Sequence, residues 1–153
     1  MKMPPIEKLY EAYSVVADER IRIEDGTAYV ISSDGSKEYT ILFDETSAAS
    51  NDNATYWQGY PGYPILALWM KLGILSKPTL ALDCFKGINW KERNALMKRN
   101  YAAAVQELLE ELAESGVDTE EIVKETERIY EELQTLDYTI RRNPQRAGKR
   151  SNP

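Results

Sequence analysis

Apolar positions in this chain recur with different periods, and the changes of period divide it into segments. Over residues 5–17, Ile6, Leu9, Tyr10, Tyr13 and Val16 return every three or four positions, the repeat of one helix face. Pro5 suits a first helical turn, where no amide partner is needed. The repeat then shortens to two. Arg20–Glu24 alternates around Ile21 and Ile23, Thr27–Ser32 follows, and Lys37–Asp44 alternates through Tyr39, Ile41 and Phe43. Asp25–Gly26 and Asp34–Gly35 separate these runs, and Asp-Gly supplies the positive φ angles of a tight hairpin turn. The pattern predicts a three-stranded antiparallel meander.

Periodicity fades over residues 45–55, a loop rich in Asn, Ser and Ala. Pro64 to Leu75 is apolar over a helical length, with Pro64 in the first turn and Gly73 near the end, which predicts a helix packed on the sheet. Leu80, Leu82 and Phe85 fit either a short strand or a buried connection. The helical repeat returns at Asn89, which with Glu92 three residues later resembles a helix start, and Gly116 marks a stop. Between them Met97, Tyr101, Val105, Leu108 and Leu112 form one stripe. Asp118 and Glu121 open a second helix expected to reach about Arg142, with Ile122, Thr126, Ile129, Leu133, Leu136 and Ile140 in a near-heptad seam. A short link makes the two an antiparallel pair.

The expected fold class is therefore α+β: an N-terminal helix, a three-stranded antiparallel β-meander with a packed helix, then a long C-terminal antiparallel helical hairpin. Residues 1–88 are expected to form the α+β domain, 89–142 the hairpin, and 143–153 a disordered basic tail after Asn143–Pro144.

Composition adds limits. With 42% hydrophobic residues, a core can form without metal or disulfide staples. No run approaches the ~18–20 apolar residues of a membrane span, and MKMPPIEKLY lacks the apolar stretch of a signal peptide. The single Cys84 has no partner for an internal disulfide and reads as a small buried hydrophobe. These features point to the cytoplasm and away from a membrane partner. The net charge of −6 is unevenly sorted: residues 106–137 hold twelve acids against Lys124 and Arg128. Two basic clusters, Lys86, Lys91, Arg93, Lys98 and Arg99, and then Arg141, Arg142, Arg146, Lys149 and Arg150, fall at the open end of the expected hairpin.

The chain has no histidine, so the commonest general base and the commonest transition-metal ligand are missing. Asp44, Glu45 and Asp52 could act as a carboxylate pair or hold a hard cation, but no calcium-loop spacing occurs. Gly59 and Gly62 lack the lysine of a phosphate loop. What stands out instead is Asn51, Asp52 and Asn53 followed by Tyr56, Trp57, Tyr60 and Tyr63. Such a loop either pins a rigid Tyr-Pro-Gly-Tyr-Pro turn to the core or stacks on bases while its amides bond their edges.

The stretch SSDGSKEYTI, followed by a loop and a Gly-Tyr-Pro start to an apolar helix, resembles a SWIM-type zinc finger over residues 20–75. That family holds zinc through a Cys-x-Cys pair and a Cys-x-His pair in a ββα unit. Here Gly62, Tyr63 and Pro64 stand at the second pair, and Ala49 to Asn53 hold no thiol, so no zinc site of that type forms. The resemblance implies a metal-free relative that binds rather than catalyses. The expected function is a non-enzymatic interaction module, without cofactor, for a nucleic acid or an anionic protein partner. Its binding residues would be the aromatic loop and the basic end. The alternatives are an oligomer, possible as a homodimer through the hairpin by Leu109 and Tyr130, and a small carboxylate hydrolase.

Overall fold

A computed structural model describes residues 1–79 and 82–150. Leu80, expected in a short strand or buried connection, lies outside the described residues, as do tail residues 151–153.

Helix α1 (Glu7–Ala17) begins where the Pro5 carbonyl accepts the Lys8 N–H at 3.1 Å. Every residue from Lys8 to Val15 is buried, so this helix shows water almost none of its surface. Strands β1 (Ile21–Glu24), β2 (Thr27–Ile31) and β3 (Lys37–Phe43) form the expected meander. Asp25 and Gly26 take φ angles of 40° and 77° in the first turn. Ala28, Val30 and Ile41 face the core while Arg22 and Leu42 face water, the alternation of a half-buried sheet.

The sheet is larger than three strands. Strand β4 (Ser47–Ser50) pairs antiparallel with β3, inside the segment expected to be loop. Its Ser-Ala-Ala-Ser sequence has low strand propensity and no apolar alternation. The preceding turn sets it instead: Asp44 Oδ1 accepts the N–H groups of Thr46 and Ser47, each at 2.8 Å. The chain then runs through α2 (Asn53–Gln58), α3 (Tyr63–Leu72), a 3-10 turn (Leu82–Phe85), α4 (Trp90–Leu96), α5 (Tyr101–Glu114) and α6 (Thr119–Gln134). Strand β5 (Thr139–Arg142) returns parallel to β4, and β6 (Gly148–Lys149) lies antiparallel to the first half of β3. The sheet order is β1-β2-β3-β4-β5, with β6 off that path beside β3.

Helix α3 lies where predicted, buried from Pro64 to Met70 and ended by Gly73 at φ 78°. It packs on α1 and on β3 and β4. One hydrophobic cluster joins Leu9, Tyr13, Ile41, Ile65, Trp69 and Phe85 to Leu108, Ile122 and Leu133, from both sides of position 88.

The C-terminal half departs from its expected course in three places. The helix expected from Asn89 breaks at residues 97–100, where Lys98 and Arg99 both take left-handed φ angles of 54° and 64°. Asn100 then caps a new helix by accepting the Ala103 N–H at 3.1 Å. Met97 becomes the C-cap of α4, still packed against the core, and Tyr101 is 39% exposed rather than core. The final helix stops at Gln134, eight residues short of Arg142. Its seam ends at Leu133 because residues 139–142 satisfy the open edge of β4, and Tyr138 stacks on Trp69 with centroids 4.9 Å apart. The expected disordered tail is also ordered over residues 143–150. Asn143 is buried and donates to the Thr40 carbonyl at 3.3 Å, while the Arg150 N–H donates to the Ser36 carbonyl at 2.8 Å.

Between sheet and helices the chain turns at buried Asp52, which caps α2 by accepting the Thr55 N–H at 3.1 Å and also accepts from the Ser50 hydroxyl. Gly62 lies against that carboxylate. A Cβ there would stand 2.2 Å from Asp52 Oδ2 and 3.0 Å from its Cγ. Gly62→Ala is expected to cost about 1–3 kcal/mol in urea unfolding, the range of overpacking a filled interior. A loss within about 0.5 kcal/mol, the size of an ordinary surface change, would show that the junction yields freely.

Candidate functional site

A cleft of about 550 Å³ opens between α1, the β2–β3 turn, α2, α4 and the start of α5. That volume lies in the range of small-ligand sites. Five cations line it, Lys8, Arg20, Lys37, Lys91 and Arg99, against the carboxylates of Glu11, Asp34 and Asp52. The rings of Tyr39, Trp57, Tyr60, Tyr63, Trp90 and Tyr101 also line it.

Its deepest charges come from α1. Lys8 and Glu11 stand one turn apart, each side chain only 9% exposed, with Lys8 Nζ 3.5 Å from Glu11 Oε2. Lys8 Nζ also sits 4.2 Å from the centre of the Tyr101 ring, a cation–π contact. Glu11 Oε1 accepts from Asn94 Nδ2 at 2.9 Å. Among the described residues, Glu11 Oε2 has no hydrogen-bond partner. Arg20 donates through Nε to Asp18 at 2.9 Å and through Nη1 to the Ile31 carbonyl. Its Nη2 is likewise buried without a hydrogen-bond partner among the described residues.

Helix α4 closes one side. Trp90 Nε1 donates to Ser14 Oγ at 2.7 Å inside the protein, and Lys91 Nζ lies 3.1 Å from Asp34 Oδ2. Burial alone would raise the Asp34 carboxyl, but donors from Ser36, Ser32 and Lys91 outweigh it and hold the group well below its ordinary range. Asp52 goes the other way: desolvation raises it, against hydrogen bonds from Ser50 and Thr55. Desolvation pushes the Tyr39 hydroxyl up to about 12 and Tyr63 well above its ordinary value, so both remain donors at neutral pH. Their rings meet edge to face at 6.3 Å.

The residues singled out in the sequence divide between this cleft and other places. Asp52, Asn53, Trp57, Tyr60, Tyr63 and Lys91 line it. Asn51 is buried behind it, accepting the Thr40 N–H at 2.9 Å and donating to the Gln145 carbonyl at 2.9 Å. Tyr56 turns to Arg142, whose guanidinium lies 5.1 Å from the ring centre. Arg93 is held by Glu107 and Glu111 at 3.3 and 2.7 Å, which neutralises part of the basic end. Lys86 and Arg141 are exposed and stand outside the cleft. Leu109 and Tyr130 are used within the chain: Leu109 is buried, and the Tyr130 hydroxyl donates to the Pro4 carbonyl at 2.7 Å.

Sequence reasoning missed Lys8, Glu11, Arg20 and Asn94, and named Arg99 only within the basic cluster. Lys8 and Glu11 fall on the polar side of an apparently amphipathic helix, which the pattern assigns to solvent. The available signal was their one-turn spacing inside a run of large apolar residues.

Among the described residues, no group of three or more Cys, Asp or Glu is placed to hold a metal ion, and no helix is long and apolar enough to cross a membrane. The family model described as Uncharacterised conserved protein UCP014422 matches residues 1–139, so the chain belongs to that family. The matched span includes every residue lining the cleft. No curated protein and no solved structure matches the chain.

Two outcomes separate framework from cleft. Asn51→Ala should cost about 1–3 kcal/mol in urea unfolding, the cost of leaving buried partners unpaired. Asp34→Asn should cost about 1 kcal/mol at neutral pH, discounted because its side chain is 21% exposed. Since the folded carboxyl titrates below the ordinary 3.8, that gap is present above this pH and should close as pH falls through the lowered native value. Thermal unfolding from pH 7 to pH 2 measures it; a gap that widens on acidification would contradict the assignment.

Proposed function

We propose that this protein is a non-enzymatic binding module whose cleft takes a single-stranded nucleic acid. The observation that carries this reading is the convergence of five cations and six aromatic rings in one cleft of a chain whose net charge is −6. Cations track a phosphate backbone, and ring faces stack on bases of any identity. Trp57 is 69% exposed on the rim, a cost that a stacking role offsets. An acidic protein segment would use the cations but give Trp57 and Tyr60 no flat partner, so the nucleic acid is preferred. Asn53, Trp57, Tyr60 and Lys91 are the contacts kept from the sequence reading, joined by Lys37 and Arg99. Arg142 and the Tyr56 ring form a second cationic and aromatic patch along which a longer strand would continue. The SWIM-like order of strands and helix belongs to the same reading, with the Asp52 hydrogen bonds taking the place of an ion's cross-link. So does a cytoplasmic location, where the lone Cys84 stays reduced.

Titration with an oligouridylate of about ten nucleotides, the span of a single-strand site, should quench tryptophan fluorescence. Affinity should fall as salt rises, with a log–log slope of roughly −0.7 for each phosphate contacted. Trp57→Ala should remove the quenching without changing thermal unfolding. Absence of binding at low salt overturns the proposal.

A further inference from the structure

Two residues that line the cleft, Glu11 and Arg20, each carry a buried polar atom with no hydrogen-bond partner among the described residues. Glu11 Oε2 belongs to a side chain 9% exposed and, among the described residues, receives no hydrogen bond; Lys8 at 3.5 Å gives it charge only. Arg20 Nη2 is buried and equally without an acceptor among the described residues. Both residues line the same cavity. A carboxylate oxygen can only accept and a guanidinium can only donate, so what fills this floor presents an N–H or O–H together with an acceptor. Buried groups left open in this way carry the full cost of lost hydration until something meets them.

Resting on the nucleic-acid reading above, we infer that the open oxygen of Glu11 and the open nitrogen of Arg20 together read the lactam edge of a keto base, guanine or uracil. Phosphate offers acceptors alone and would be repelled by Glu11. A ribose hydroxyl is neutral and turns freely, so it gains less from a charged floor. Every base edge combines a donor with an acceptor, but the keto bases match charged partners best. Their ring N–H is more acidic than the amino group of adenine or cytosine, and their carbonyl is a strong acceptor for a cation. Hydrogen bonds to ionised groups are about twice as strong as neutral ones, so the floor rewards that polarity. Tyr39 and Tyr63, whose hydroxyls remain protonated, line the same cavity and add donors for a carbonyl.

The test is calorimetric titration of the full chain with GMP, UMP, AMP, CMP and ribose 5-phosphate. GMP and UMP should bind about tenfold tighter than AMP and CMP, the scale of one hydrogen bond to a charged group. The N1-methyl derivative of GMP and the N3-methyl derivative of UMP lack the ring N–H and should lose that advantage, a comparison that alters no protein residue. Glu11→Gln, and separately Arg20→Gln, should level the bases. If oligouridylate still quenches Trp57 while all four nucleotides and the methylated pair bind alike, the edge reading falls and the strand-binding reading stands. If no oligonucleotide binds, both fall.

Discussion

Helix α1 carries Lys8, Glu11, Tyr13 and Ser14 among its apolar residues, and because water is kept from all of them, other elements must meet their polar atoms. The Tyr13 hydroxyl donates to Thr126 Oγ1 at 2.9 Å and so reaches α6. Ser14 receives Trp90 Nε1 and Glu11 receives Asn94 Nδ2, both from α4. An unmet buried hydroxyl or carboxylate costs about 1–3 kcal/mol or more, comparable with the stability of a small domain once several are summed. The placing of α4 against α1 is thus set by the polar atoms of a helix some eighty residues earlier.

That arrangement also makes the cleft. Helix α4 is seven residues long and is followed by two consecutive left-handed residues, Lys98 and Arg99, where the chain turns back. The buried stretch of α1 holding Lys8 and Glu11 lines the cleft beside it, with Trp57 of α2 and Tyr101 of α5 on the same wall. A close-packed interior would have replaced these charges with apolar groups at little or no loss of stability. Their retention beside two unmet hydrogen-bonding atoms is the physical ground for reading the cavity as a site.

The sheet solves a different problem. The meander ends at β3, whose free edge would be open to another chain. Strand β4 covers that edge at Ile41–Phe43 and β6 at Lys37 and Glu38, while β5 covers β4. Asn51 and Asn143 tie these pieces together through Thr40 and Gln145, which explains why an amide that looked like a ligand contact belongs to the framework. Asp52, one residue later, is framework and wall at once.

Local chemistry alone was enough to mark α1, the three strands of the meander and α3. Their signals, Asp-Gly turns, period-two alternation, a proline in a first turn and a glycine at a helix end, act within a few residues and need no distant partner. The starts of α4 and α6 were legible for the same reason, since Asn89 and Asp118 cap their own helices. The break at Lys98 and Arg99, the strands β4, β5 and β6, and the early end of α6 were not legible. Each exists because a distant edge or a buried polar atom rewards it, against a local pattern that is silent or favours helix. The site divides along the same line. Its rim showed as unusual residues, Trp57 and Tyr60 in the aromatic stretch and Lys91 in a basic cluster. Its floor joins Glu11 and Arg20 to Asn94, some eighty residues later, which only packing around α1 brings together.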